Sequence, residues 1–223
     1  MIKVNFIRHG ETIFNRLKKI QGLSNINLSS TGIEQAKNIK LNETYDIAFH
    51  SSLNRSKDTL DIICNNLEII PKKILDDSVI ERCYGIFEGL TKEEIFEKYP
   101  ELYKKWSDNE NILIDGAESI DNVILRIKKF IKMLIDNKYK NVLVVTHSGV
   151  LFALYKFIVQ INLGKRPKNI KFENCSSNIL EIKYNQEIID LKFYIGNQAE
   201  VNRSCPAKEI ISDSRINILT DII

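Results

Sequence analysis

The chain opens on Lys3-Val4-Asn5-Phe6-Ile7-Arg8-His9-Gly10, and Asn141-Val142-Leu143-Val144-Val145-Thr146-His147-Ser148-Gly149 repeats the pattern late in the sequence. In each, a short apolar run rich in β-branched residues has the length and composition of a buried strand. Each run leads to a histidine and then to small residues. A third run, Asp46-Ile47-Ala48-Phe49-His50, ends on Ser51-Ser52 and passes into a helical pattern that begins near Arg55, with Leu60, Ile63 and Cys64 on one face. Strand, polar turn and helix therefore form a recurring unit.

Outward from these runs the sequence fills in helices. Thr31 and Glu34 offer a capping box for a helix carrying Ile33, Ala36 and Lys37. From Glu118 to Asn137, Ile120, Val123, Ile124, Ile127, Phe130, Ile131 and Leu134 follow spacings of three and four, the stripe of an amphipathic helix. Another helix is predicted after Gly149. Asn178 to Tyr184 and Ile188 to Ile195 read as strands joined by a turn around Asn185-Gln186-Glu187. The alternation predicts an α/β three-layer sandwich: a mainly parallel sheet with helices on both faces and a late antiparallel strand or hairpin. Ligands bind such sheets at the carboxyl ends of the strands, where His9 and His147 fall. Residues 1–195 are expected to form one domain, with 196–223 as a C-terminal tail of unassigned role, polar in its middle and apolar at Ile216-Asn217-Ile218-Leu219.

Composition narrows the function classes. The 223 residues are 43% hydrophobic and 27% charged, enough to bury a full core. The formal charge is +3, and the lysines are scattered among carboxylates, which argues against a nucleic-acid partner. Cys64, Cys83, Cys175 and Cys205 form no CxxC pair and no zinc-ligand spacing, as expected of reduced thiols in a cytoplasmic protein. The first residues lack a signal-peptide pattern, and the apolar stretch from Gly149 to Leu163 is broken by Lys156 and Gln160, so no membrane partner is expected. No aspartate cluster suggests a hard-cation site, and no cofactor or metal is predicted. A homodimer is left open.

The chain has only three histidines, His9, His50 and His147, and two of them arrive at strand ends. Gly10 follows one and Ser148-Gly149 the other, so backbone amides can approach an anion as the chain turns into a helix. Arg8 precedes His9, and Arg55 starts the helix after the third strand, so two guanidiniums and two imidazoles can converge on one dianion. Any one of these histidines alone reads equally well as an ordinary core residue. The set is harder to explain that way.

These residues resemble the histidine phosphatase (phosphoglycerate mutase-like) superfamily, over most of the chain to about residue 195. The likeness runs in order through Arg8-His9-Gly10-Glu11-Thr12, Asn15, Gln21-Gly22, Leu28-Ser29, Thr31-Gly32, Gln35-Ala36 and Ser51-Ser52-Leu53-Asn54-Arg55-Ser56. It continues through Glu81, Tyr84-Gly85, Phe87-Glu88-Gly89, Tyr99-Pro100, Glu118-Ser119, Arg126 and Val144-Val145-Thr146-His147-Ser148-Gly149. The resemblance implies that His9 is a nucleophile that becomes phosphorylated. It implies that Glu81 donates a proton to the leaving oxygen, although the same carboxylate is also explained as a surface partner of Arg82. It further implies a phosphate-binding set of Arg8, Asn15, Gln21, Gly22, Arg55, His147 and Ser148, with no metal. Glu11 is left outside the catalytic set, and His50 and Cys83 are read as structural.

Within the superfamily, a short segment between Pro100 and Glu118 without an arginine-rich stretch, and Ser148-Gly149 after His147, depart from the mutases. Hydrolysis of a small-molecule phosphate ester is the expectation, with a 2,3-bisphosphoglycerate-dependent phosphoglycerate mutase as the alternative. An inactive phospho-ligand-binding relative is the alternative of another class. The run from Tyr84 to Ile95, with Lys98-Tyr99-Pro100 after it, resembles bacterial α-ribazole phosphatases and broad-specificity phosphatases, so α-ribazole 5'-phosphate is a candidate substrate. Gly116-Ala117-Glu118-Ser119 stands where relatives read Gly-Glu-Ser, an alteration in a loop that bears on selectivity.

Overall fold

The computed structural model describes residues 1–109, 112, 114–160, 167 and 169–211. Seven strands form one sheet: β1 (Ile2–Arg8), β2 (Ile47–His50), β3 (Lys72–Leu75), β4 (Asn141–Thr146), β5 (Ser177–Tyr184), β6 (Ile188–Ile195) and β7 (Ala199–Pro206), in the order β3-β2-β4-β1-β5-β6-β7. β3, β2, β4 and β1 run parallel, and β5, β6 and β7 continue the sheet as an antiparallel meander. The register Ile7↔Val145 and Arg8↔Thr146 brings His9 and His147 out at the same edge.

Strand parity sorts the side chains between two layers. Val4, Phe6, Ile47, Phe49, Val142 and Val144 enter one core with Val123, Ile127, Phe130, Ile131 and Leu134 of a long helix, Ile120–Asp136. Ile7, Ala48, Leu143 and Val145 enter a second core with Leu60, Ile63 and Cys64 of the helix Asn54–Cys64. The helix Ser148–Val159 packs into the first core and is buried nearly all round. The meander is covered on one face by the same core, through Leu180, Ile182, Leu191 and Phe193, while Lys183, Asp190 and Lys192 alternate into solvent. In chain order the helices are α1 (Ile13–Arg16), α2 (Ser30–Lys37), α3 (Asn54–Cys64), α4 (Lys92–Lys98), α5 (Pro100–Asp108), α6 (Ile120–Asp136), α7 (Ser148–Val159) and α8 (Lys208–Ile211). A third, smaller core of Phe87, Ile95, Trp106 and Ile114 joins α4 and α5 to the turn before them. The Thr91/Glu94 capping box starts α4.

Two expectations are corrected. α2 is capped by Ser29, whose side chain accepts from Gly32 N, and not by Thr31, which lies inside the first turn. The sheet also continues past residue 195: β7 pairs with β6 from Ile195↔Ala199 to Ile188↔Pro206, and Ile210 of α8 is buried in the main core. β7 alternates Ala199, Val201, Arg203 and Cys205 on its inner face with exposed Glu200, Asn202, Ser204 and Pro206, and Arg203 breaks the apolar pattern that marks a strand in sequence. Ile216-Asn217-Ile218-Leu219 lies outside the described residues, as does the end of the Gly149–Leu163 stretch. Among the described residues no helix is long and apolar enough to cross a membrane.

Candidate active site

His9 follows the last residue of β1, with its backbone N donating to Thr146 O (2.9 Å) and its carbonyl accepting from Asn174 Nδ2 (2.8 Å). Its buried ring places Nδ1 2.7 Å from Gly10 O. A carbonyl can only accept, so Nδ1 carries the proton and Nε2 keeps its lone pair. The turn that sets this up needs glycine: a Cβ on Gly10 would sit 2.5 Å from Gly32 O at the start of α2. Burial pushes the His9 pKa well below its ordinary value, and the charges of Arg8 and Arg55 push it the same way. The imidazole is held neutral, in the tautomer a nucleophile requires.

The two arginines are aimed by backbone carbonyls. Arg8 Nη1 donates to Phe172 O (2.7 Å), and its own backbone is clamped by Cys175 N donating to Arg8 O (2.9 Å). Arg55, fully buried, donates Nη1 to Ser24 O and Nη2 to Gly22 O, both at 2.7 Å. Burial lowers its pKa to about 10, which still leaves it a cation at neutral pH. Glu88 braces the carbonyl-bearing loop by accepting from Leu23 N (3.1 Å) and Tyr84 N (2.9 Å). Gly22 adopts φ +50, and a Cβ there would lie 1.9 Å from Glu88 Oε1.

His147 stands at the N-cap of α7, with Nε2 2.8 Å from Ser51 Oγ and its ring centroid 5.2 Å from that of His9. Burial, Arg55 and His9 keep it neutral as well. Its Nδ1 and Arg55 Nε are buried polar atoms that no protein group satisfies. Leaving such atoms unmet costs on the order of 1–3 kcal/mol each, so their clustering marks a place for a polar ligand.

Glu81 lies across the first turn of α7. Its Oε1 accepts from Arg82 N (2.8 Å) and Gly149 N (3.0 Å), and it is only 7% exposed. Arg82 turns its Nε to Glu118 O (2.8 Å), so what Glu81 takes from its neighbour is a backbone N–H. The reading of Glu81 as a surface carboxylate does not fit this burial.

A cleft of about 550 Å³ is lined by Arg8, His9, Asn15, Gln21, Gly22, Glu81 and Ser148 from the predicted set. Arg55 and His147 are buried and do not line it, though the His147 ring lies against the His9 ring that does. Asn15 Oδ1 accepts from Thr12 N (3.1 Å) and Asn174 Nδ2 (3.2 Å), so what it can offer the cleft is its amide nitrogen. Gln21 Oε1 accepts from Thr12 Oγ1 (2.8 Å). His50 is held by Ser51 O and Glu11 by Ser29 and Arg16, both in supporting positions. Sequence reading missed Lys19, Trp106, Lys171 and Phe172 in the cleft wall, and Asn174, Ser51 and Glu88 as its braces. Ser51 directly follows β2, but its hydrogen bond to His147 is a long-range contact that its place at the strand end does not show, and the others lie outside the strand-to-helix turns. Among the described residues no group of three or more His, Cys, Asp or Glu side chains is placed to hold a metal ion.

The chain is 30% identical to phosphoserine phosphatase 1 of Hydrogenobacter thermophilus, over 85% of this chain and 90% of that one. It is 33% identical to a metal-independent phosphoserine phosphatase of Arabidopsis thaliana, over 84% and 79% respectively. A solved structure of a putative α-ribazole-5'-P phosphatase from Escherichia coli superposes with a TM-score of 0.71 at 20% identity, covering 94% of this chain and 99% of that one, a likeness of fold. The family model of the histidine phosphatase superfamily (branch 1) matches residues 4–193, a span that holds every residue of the cleft described above. A neutral histidine ringed by two arginines, a second histidine and a buried carboxylate is thus carried on the matched fold, and the chain belongs to the histidine phosphatase superfamily.

Proposed function

We propose that the protein hydrolyses phosphomonoesters of small metabolites through a phosphohistidine at His9. The observation that carries this reading is the Nδ1–Gly10 O hydrogen bond, which leaves the Nε2 lone pair for phosphorus. In the first step the Nε2–P bond forms as the ester P–O bond breaks, and the Glu81 carboxyl gives its proton to the departing alkoxide. In the second, the Glu81 carboxylate takes a proton from water as the water oxygen bonds to phosphorus and the N–P bond breaks. Phosphate is released and Glu81 is again protonated. Arg8, Arg55 and His147 stabilise the charge on the phosphoryl oxygens, with Asn15, Gln21, Gly22 and Ser148 as neutral contacts. Because the charge is met by two guanidiniums, a neutral imidazole and amide and hydroxyl groups, the reaction proceeds without a metal.

The leaving group is a small, acidic one. Lys92 and Lys171 line the cleft with Glu173, and Lys19, paired with Glu94 (3.6 Å), lines it too; two phosphoserine phosphatases are among the similar proteins. Tyr84, Trp106 and Phe172 supply the aromatic surface that favours α-ribazole 5'-phosphate as the second candidate. The test is a metal-free hydrolysis panel of phosphoserine, phosphoglycerates, sugar phosphates, nucleotides and α-ribazole 5'-phosphate. Release of phosphate from one or more supports the reading. Rapid interconversion of phosphoglycerates with little free phosphate would replace it with a mutase, and binding without turnover with an inactive relative.

A further inference from the structure

The mechanism leaves unused the motif Glu118-Ser119 and the arginine that follows it, and the structure gives both a task. Arg126 on α6 grips Glu118 with two nitrogens, Nε to Oε1 (2.9 Å) and Nη2 to Oε2 (3.1 Å), and donates Nη1 to Ser78 O (2.8 Å). Glu118 in turn donates its backbone N to Cys83 O (3.0 Å) and accepts at its carbonyl from Arg82 Nε (2.8 Å). Tyr84 and Ala117 pair in an isolated antiparallel bridge just beyond. From the opposite side, Thr146 Oγ1 donates to Val79 O (2.8 Å). The chain from Ser78 to Tyr84 is thus pinned before and after Glu81, and the carboxylate at its centre is docked on Gly149 N.

We propose that the Arg126–Glu118 pair is a positioning clamp that fixes the Glu81 carboxylate at the distance proton transfer to the leaving oxygen requires. The pair is partly buried, with side-chain exposures of 15% and 21%, and its fork geometry is one that lysine cannot reproduce. Neither residue lines the cleft, so the clamp acts through the backbone carrying Glu81. Gly116, at φ +68, turns the chain into the Ala117–Tyr84 bridge just before Glu118, which faces Arg126.

This inference rests on the proposed role of Glu81, and its test separates the two. Arg126→Lys, Glu118→Gln and Glu81→Gln are assayed on an alkyl phosphate and on 4-nitrophenyl phosphate, with thermal melting measured beside them. The clamp variants are expected to lower kcat/KM, which reports only the step in which the leaving group departs, on the alkyl ester by roughly ten- to a hundredfold, as a displaced proton donor does, with kcat/KM on the aryl ester lowered by less than about threefold. Combined with Glu81→Gln, Arg126→Lys should cost nothing further on the alkyl ester, because the step it serves is already lost. Equal slowing on both esters, no slowing, or additive losses in the double variant overturn the clamp. If Arg126→Lys does not fold, Glu118→Gln, which keeps the side-chain shape, decides the matter by the same readings. If Glu81→Gln discriminates between the esters and the clamp variants do not, the clamp alone is refuted. If Glu81→Gln itself does not discriminate, the proton-donor role fails and the clamp falls with it.

Discussion

Gly149→Ala is the substitution whose cost can be worked most directly from the structure. Gly149 lies in the first turn of α7, and a Cβ added there would sit 2.3 Å from Glu81 Oε1 and 3.2 Å from Arg82 Cβ. Ordinary contact begins near 3.4 Å, so the carboxylate must retreat by about 1 Å and loosen its hold on Gly149 N. A misplacement of about 1 Å in a catalytic group costs on the order of 10²-fold in rate, or about 2.7 kcal/mol. Folding should suffer far less, because the gain of alanine over glycine in a helix, up to ~1 kcal/mol, offsets part of the strain. The assay is steady-state hydrolysis of an alkyl and an aryl phosphate with a melting curve for each protein. In kcat/KM, which reports the step in which the leaving group departs, the alkyl ester should fall about a hundredfold and the aryl ester several-fold, since its oxygen departs without a proton. An unchanged alkyl rate in a folded variant would refute the placement of Glu81 as donor.

Arg55→Lys should reduce kcat/KM by roughly 10²- to 10³-fold, because an ammonium cannot hold Gly22 O and Ser24 O and still reach the phosphoryl group as a fork; a loss under tenfold in the steady-state assay counts against its role. Both His9 and His147 have folded pKa values depressed below their unfolded ones, so the stability they confer is complete above about pH 6.5 and is lost as pH falls toward the folded values, with a slope of up to about 2.7 kcal/mol per pH unit for the pair. Denaturant melts of the ligand-free protein between pH 7.5 and 5 measure this, and a flat profile for the wild type alongside His9→Asn/His147→Asn contradicts it. Ethylenediaminetetraacetate should leave phosphate release unchanged; loss of activity restored by magnesium would overturn the metal-free reading.

The parallel half of the sheet was legible because each of its main strands is buried on both faces and so is a continuous apolar run, as in Val142-Leu143-Val144-Val145. The histidines at the strand ends and the small residues after them were legible for the same reason, since the pattern changes abruptly from apolar to polar at the site. β7 was not, because Arg203 stands among Ala199, Val201 and Cys205 on its inner face and breaks the apolar alternation that a one-sided strand otherwise shows. Ser29 and Thr31 are both competent caps of α2 in sequence, and the structure chooses Ser29, whose hydroxyl also donates to Glu11 Oε1 (2.8 Å). The braces of the site, Asn174 on His9 O and Glu88 on the loop that feeds Arg55, act through backbone atoms brought together by distant segments, and such contacts leave no local signature.

The central claim is a covalent bond between phosphorus and His9. Rapid-quench trapping with substrate labelled in its phosphoryl group measures it, using the acid lability and relative base stability of phosphohistidine to identify the bond. The wild type should carry label that alkali preserves and acid removes, and the label should map to His9 and vanish in His9→Ala. Label that persists in His9→Ala, or that resists acid as a phosphoserine would, contradicts the account.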